Sequence, residues 1–309
     1  MSILVVGSVA LDHVETPFGS ADGVVGGSAI FFAAAASMLT PVQVVGVVGS
    51  DYPMDRLSFL EEQEVDLSGI ETVEGESFRW KGRYGHDLND RDTIWTKLGV
   101  FEQFKPRLPE HFRDARTVFL GNIDPVLQLD VLEQVHRPEL IVCDTMNLWI
   151  DGSREALLEV IGRVHILMVN DAEARQLADE PNLLKAARWI QAQGPEWVVV
   201  KKGEHGAVLF GSASVFFVPG YPIEEACDPT GAGDAFAGGF LGYLDWSGSR
   251  SGDDFRSAMV YGSALGSYAV EAFSVDRLKD LTPDQVMDRI RQFREITAFE
   301  VDVGAVRNG

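Results

Sequence analysis

Short apolar runs recur along the chain, separated by stretches in which apolar residues fall at intervals of three and four. The runs predict strands over residues 3–6, 42–48, 118–120, 140–143, 166–169, 198–200 and 207–210. The periodic stretches predict helices over 29–39, 55–64, 128–134, 154–163, 171–177, 183–193, 234–243, 255–270 and 283–296. Strands apolar at every position need cover on both faces, and strands alternating with helices provide it as a mainly parallel sheet between helical layers. The chain therefore reads as α/β, and no repeat or low-complexity linker divides it.

Residues 68–98 break this alternation and read as polar β-structure. Over 77–84 a period of two puts Arg79, Lys81 and Arg83 on one face and Phe78, Trp80 and Tyr84 on the other. One basic and one aromatic face make a poor core. They suit a lid or a dimer surface, or a solvated edge hairpin.

Composition narrows the partners. The net charge of −21 argues against nucleic acid and anionic membrane, both of which need basic surface. Hydrophobic residues at 46% support a sizeable core, yet no run is long and apolar enough to span a bilayer. Met1 leads directly into the first apolar run with no basic leader, so a cytoplasmic protein is expected. Cys143 and Cys227 are too few for a disulfide framework or a metal cage.

The most informative stretch is Asp228-Pro229-Thr230-Gly231-Ala232-Gly233-Asp234, followed by small and apolar residues suited to a closely packed helix. Gly231, Ala232 and Gly233 would let a phosphate approach backbone N–H groups at a helix N-terminus, where free donors and the dipole favour an anion. Asp234 then lies in the first turn, placed to take a proton from a hydroxyl. The competing reading is a Gly-rich turn whose Asp only complements the dipole.

Other polar residues gather at strand ends, where open α/β sheets bind ligands. Asp12 follows the first strand; its carboxylate suits two hydroxyl hydrogen bonds, or a turn. Asp144-Thr145-Met146-Asn147 and Gly121-Asn122-Ile123-Asp124 occupy two further ends. Asn170 and Glu173 share a helical face after the fifth predicted strand, as ligands of Mg²⁺-bound water or phosphate, or as a capping box. Lys201-Lys202-Gly203-Glu204-His205-Gly206 lies between two strands as a turn.

The 228–241 stretch resembles the second signature of the PfkB (ribokinase-like) carbohydrate kinases. Gly26-Gly27-Ser28-Ala29 is similar to their first, and the resemblance runs from about residue 3 to 298. It implies a three-layer α/β core with a mainly parallel sheet and a small β-lid, at about 13–25 and 68–100, within a single kinase domain over 1–309. It implies transfer of a phosphoryl group from ATP to a hydroxyl of a small sugar or polyol. Asp234 becomes the general base and the amides of Gly231, Ala232 and Gly233 the anion hole. Acceptor binding falls on Asp12, Gly26, Gly27, Ser28 and position 31, and Mg²⁺ on Asn170 and Glu173, through water. Nucleotide contacts fall on Asn170, Lys201, Gly203, Gly206, Ala264 and Ser267. A monovalent cation, K⁺, is implied near Asp228 and Thr230, and a homodimer through the lid. One departure stands out. Where many members carry a sugar-binding Asn, this chain has Phe31, whose ring is expected to pack on a sugar or to stack on a nucleobase. The alternatives are thus a nucleoside kinase or a catalytically silent sugar- or nucleotide-binding regulator.

Overall fold

The computed structural model describes residues 2–212 and 214–298. In chain order the first half comprises β1 (Ile3–Val6), β2 (Ala10–Thr16), β3 (Gly19–Gly26), α1 (Ser28–Ala36), β4 (Val42–Gly49), α2 (Ser58–Glu62), β5 (Val65–Val73), β6 (Phe78–Tyr84), β7 (Arg91–Lys97) and β8 (Thr117–Leu120). Next come α3 (Pro125–Leu132), β9 (Leu140–Asp144), α4 (Asn147–Gly152), α5 (Arg154–Ile161), β10 (Ile166–Asn170), α6 (Asp171–Ala178) and α7 (Leu183–Gln191). The chain continues through β11 (Trp197–Lys201), β12 (Ala207–Phe210), β13 (Val215–Val218), α8 (Ala232–Ser247), α9 (Gly252–Ala269), α10 (Asp276–Lys279) and α11 (Pro283–Thr297).

The main sheet runs β13-β12-β11-β10-β9-β8-β1-β4-β5, parallel except for β12 and β13 at one edge. Successive residues of β1 point to opposite faces, and all four are buried. Ile3 and Val5 enter a core shared with α1, α8 and α9, whereas Leu4 and Val6 enter a second core under α3, α5 and α7. These are the three layers expected from the apolar runs. Among the described residues, no helix is long and apolar enough to cross a membrane.

α1 is buried on every side. Its alanines allow α8 to approach so closely that a Cβ at Gly238 would lie 2.4 Å from the Phe32 carbonyl oxygen. Asp245 near the end of α8 accepts hydrogen bonds from Thr40 (2.6 Å) and from Thr117 at the start of β8 (3.2 Å), which fixes the helix against the sheet.

A second sheet, β3-β2-β6-β7, stands apart from the first. Its strands lie at 10–26 and 78–97, so the polar β-structure is placed differently from the sequence reading at one point. Residues 68–73 belong to β5 and pair with β4 in the main sheet. Gly69 makes that pairing possible, since a Cβ there would lie 2.5 Å from the Val44 carbonyl oxygen. The basic stripe is neutralised within the chain: Arg79 pairs with Asp51, and Lys81 and Arg83 both pair with Glu15.

Candidate active site

α8 begins on a turn that only glycine accommodates. Gly231 has φ +75°, and a Cβ there would lie 2.2 Å from the Phe31 ring. No side chain caps the helix. The Ala232 N–H turns back to the Pro229 carbonyl (3.2 Å), which leaves the neighbouring N–H groups of Gly231 and Gly233 at the helix start, where the dipole favours an anion. Phe31, only 1% exposed, is the floor beneath this turn. This corrects the expectation for position 31: the ring lies against Gly231 and has no face open to a sugar or a base.

Asp234 stands in the first turn of α8. Burial, then the nearby Asp144, push its carboxyl up to about 7, against the pull of Lys201 and Arg91. Lys201, at the end of β11, donates to Asp144 at the end of β9 over 2.5 Å. A Cβ at Gly233 would come within 3.1 Å of its ammonium nitrogen, so the cation sits beside the start of α8. Burial alone would lower the Lys201 pKa, but Asp144, Glu173 and Asp234 outweigh it and hold the ammonium above its usual value.

Asn170 and Glu173 form a reciprocal capping box. The Asn170 N–H donates to Glu173 Oε2 (2.8 Å), and the Glu173 N–H donates to Asn170 Oδ1 (2.7 Å). The structure thus shows the capping box, and the Glu173 carboxyl also lies in the field of Asp144 and Lys201. Burial, then Asp144, raise the Glu173 carboxyl to about 7.

Across the cleft, Asp12 of β2 is buried at 6% exposure. Burial first, and Asp228 second, raise its carboxyl to about 7. The Gly-Gly pair of the first signature has a steric cause: a Cβ at Gly26 would lie 1.9 Å from Asp12 Oδ2, and one at Gly27 would lie 2.4 Å from the Ser8 carbonyl oxygen. Ser28 is buried and hydrogen-bonded to Ser8, so it holds the loop after β1 rather than facing the cleft. Asp228 accepts from the Thr230 N–H through Oδ1 (2.9 Å); its buried Oδ2 has no partner among the described residues.

Gly203 (φ +54°) and Gly206 (φ +86°) shape the turn between β11 and β12. The Lys202 N–H closes it on the Gly206 carbonyl (2.8 Å). Ala264 and Ser267 do not line it. Both are buried in α9, and Ser267 Oγ donates to the Ala264 carbonyl (2.6 Å) and accepts from Arg289 (3.0 Å). Their small size serves helix packing.

Residues of the second sheet complete the site; the sequence marked Trp80 and Tyr84 as one face of a lid but gave no role to Asn89 or Arg91. Tyr84 Oη shares a 3.1 Å hydrogen bond with Thr230 Oγ1, tying β6 to the turn before α8. Arg91, paired with Tyr84 across the β6–β7 ladder, places its guanidinium 5.3 Å from the Trp80 ring. Its charge lowers the pKa of Asp12, Glu173 and Asp234 alike. Asn89, in the loop between β6 and β7, lies against Gly203, where a Cβ would meet its Oδ1 at 1.6 Å. Alternation along β6 separated the aromatic face from the basic one, but only the tertiary pairing shows that the aromatic face meets the cleft.

The profile of the pfkB family carbohydrate kinases matches residues 3–280. Over 247 residues the chain is 30% identical to a cytidine kinase of Thermococcus kodakarensis, across 78% of this chain and 87% of that protein. A nucleoside kinase of Methanocaldococcus jannaschii is 25% identical over 244 residues, 79% of this chain and 73% of that one. The structure of a Burkholderia thailandensis nucleoside kinase in complex with inosine shares the fold, with TM-score 0.74 and 19% identity over 94% of this chain and 98% of that one. So does an aminoimidazole riboside kinase of Salmonella enterica, at TM-score 0.76 and 20% identity over 94% and 100% of the two chains.

Proposed function

The chain belongs to the pfkB family of carbohydrate kinases and is a phosphotransferase with an alcohol acceptor, and from that premise we propose that the acceptor is a nucleoside, phosphorylated on its ribose by ATP. The observation that carries this reading is the pair of relatives matched over most of the chain, which are a cytidine kinase and a nucleoside kinase. A nucleoside therefore displaces the simple sugar or polyol favoured by the sequence.

The cleft supports the choice. Asp12 is suited to ribose hydroxyls, and its direct partner in the β2–β6 ladder is Trp80. Paired residues project to the same side of a sheet, so an aromatic surface stands next to the hydroxyl-binding carboxylate. Trp80 is fixed by donating from Nε1 to Thr93 Oγ1 (3.3 Å). It, rather than Phe31, is the residue for the base. Replacing Trp80 with Leu should raise the nucleoside KM roughly ten- to hundredfold, the scale of one base–aromatic stack, and leave the ATP KM near its starting value. Steady-state kinetics with each substrate varied would measure both.

In the reaction, Asp234 accepts the proton of the ribose hydroxyl as its oxygen attacks the γ-phosphorus and the bond to the β–γ bridging oxygen breaks. The amides of Gly231 and Gly233, with the Lys201 ammonium beside them, balance the charge on the transferring group; the Ala232 N–H joins them only by leaving the Pro229 carbonyl. Asp12 holds the acceptor in line. The turn of Gly203 and Gly206 lies under the nucleotide donor, with the Asn89 loop above it as part of the lid. Mg²⁺ accompanying ATP would neutralise the phosphates. Glu173 and Asn170, at the start of α6, would orient the water around that ion. The unpartnered buried Oδ2 of Asp228 likewise fits a monovalent cation, held by Asp228 and Thr230.

The decisive experiment sets cytidine, uridine, adenosine, guanosine and inosine against ribose, fructose and small polyols, with ATP, Mg²⁺ and K⁺, read as ADP release. At least one nucleoside should exceed every sugar and polyol at least tenfold in kcat/KM. A sugar or polyol that matches the best nucleoside overturns the reading.

A further inference from the structure

Tyr52 lies just beyond the C-terminal end of β4, where its N–H turns back to the Gly49 carbonyl (3.1 Å). Its side chain is 6% exposed, and the ring belongs to the core cluster containing Leu11, Val25, Val48 and Leu57. The ring is therefore accounted for by packing. The hydroxyl is not: Tyr52 Oη is buried and has no hydrogen-bond partner among the described residues. An unmade hydrogen bond in the interior is costly, and a Phe would fill the same space without it.

The surroundings of that oxygen are those of the acceptor. β4 is the neighbour of β1 in the parallel sheet, so the segment after β4 emerges at the same sheet edge as the loop that leads to Asp12. Arg56 donates to the Gly23 carbonyl (3.4 Å), one residue before Val24, which is the partner of Asp12 in the ladder. Burial, and next the Asp12 charge, hold the phenol protonated well above its ordinary range, while Arg56 acts in the opposite sense. The phenol is thus an unpaired O–H in the field of Asp12, reached from the segment that follows β4.

We propose that Tyr52 is an acceptor-binding residue, its phenol hydrogen-bonding a hydroxyl of the ring whose neighbouring hydroxyl is held by Asp12. The site then reads two adjacent hydroxyls with two groups, a carboxylate that accepts and a phenol that donates or accepts. A ribose with both its 2′- and 3′-hydroxyls satisfies both groups. Either deoxy analogue leaves one unpaired, which is the arrangement that discriminates most strongly against a missing hydroxyl. The identity of the ring rests on the nucleoside reading; the role of Tyr52 does not.

Tyr52→Phe tests this. Because the phenol has no internal partner, the variant should fold with a Tm equal to or above that of the wild type. Calorimetric titration with the best nucleoside of the panel, without ATP, should show a Kd raised about tenfold, the scale of one hydrogen bond. The preference for ribo- over deoxynucleosides should shrink by a similar factor. Saturating kcat should stay within about twofold of wild type, and the ATP KM should not move. An unchanged Kd with unchanged sugar discrimination overturns the proposal. So does a lowered Tm with equal losses for ATP and acceptor, which would make Tyr52 a packing residue. If wild type binds a sugar or polyol but no nucleoside, the nucleoside reading fails, and the same Kd comparison with that ligand decides the role of Tyr52 separately.

Discussion

Replacing Asp234 with Asn should lower kcat by roughly 10²–10⁴, the contribution of a positioned general base, while the nucleoside and ATP still bind. The carboxyl stands raised to about 7, so wild-type kcat/KM should climb as pH rises through that value and level off above it. The variant should lack that limb. Stability should move in the opposite sense. Asp234 binds its proton more tightly in the folded protein than in the unfolded chain, where its pKa is near 3.8. The stabilisation it gives is complete in acid and is lost as pH rises through about 7. Asp12 and Glu173, raised in the same direction, add to the effect. The nucleotide-free enzyme should accordingly melt at a higher temperature at pH 6 than at pH 8, and Asp234→Asn should gain roughly 2 kcal/mol at pH 8. Equal activity in the folded variant would remove Asp234 from the mechanism. An unchanged Tm at pH 8 would show that the carboxylate is not strained by its site.

Lys201→Met should be damaging in both respects. It leaves Asp144, 6% exposed in its side chain, as a buried charge without its partner, a loss on the order of 3–5 kcal/mol. It also removes the ammonium beside the anion hole, for which about 10²–10³ in kcat is the usual scale. The two consequences separate in the double variant Lys201→Met/Asp144→Asn. Urea unfolding should return most of the lost stability, because Asp144, the carboxylate that Lys201 pairs directly, is no longer charged. The rate should not return. Recovery of rate together with stability would reduce Lys201 to a structural ion pair.

The fold was legible because the central strands are apolar on both faces, and that pattern has few solutions other than a covered parallel sheet. β2 and β3 carry no apolar run that marks them as strands; only the resemblance pointed to lid elements at about 13–25, and pairing along β2 makes residues 19–26 a strand. Within the site, the helix start at Gly231 was legible from local chemistry alone. Asp12 and Lys201 were legible as strand-end groups. The Lys201–Asp144 pair and the Tyr84–Thr230 bridge join residues far apart in the chain, and no local spacing encodes them. Phe31 was misread for a related reason. An aromatic in place of a polar residue suggested a ligand contact, whereas the glycine it packs against lies in another element and closes both possibilities.

The burial of α1 has a consequence during synthesis. One side of it is covered by α8 and the other by the neighbouring strands β1 and β4, yet α8 is translated about 200 residues later, some 10–40 s at ordinary elongation rates. Until then the emerging chain carries a helix of Ile, Phe and Ala whose α8-facing side has no native cover. The nascent polypeptide thus passes through a prolonged window in which this helix is the segment most open to capture by a chaperone or by a neighbouring chain on the same message.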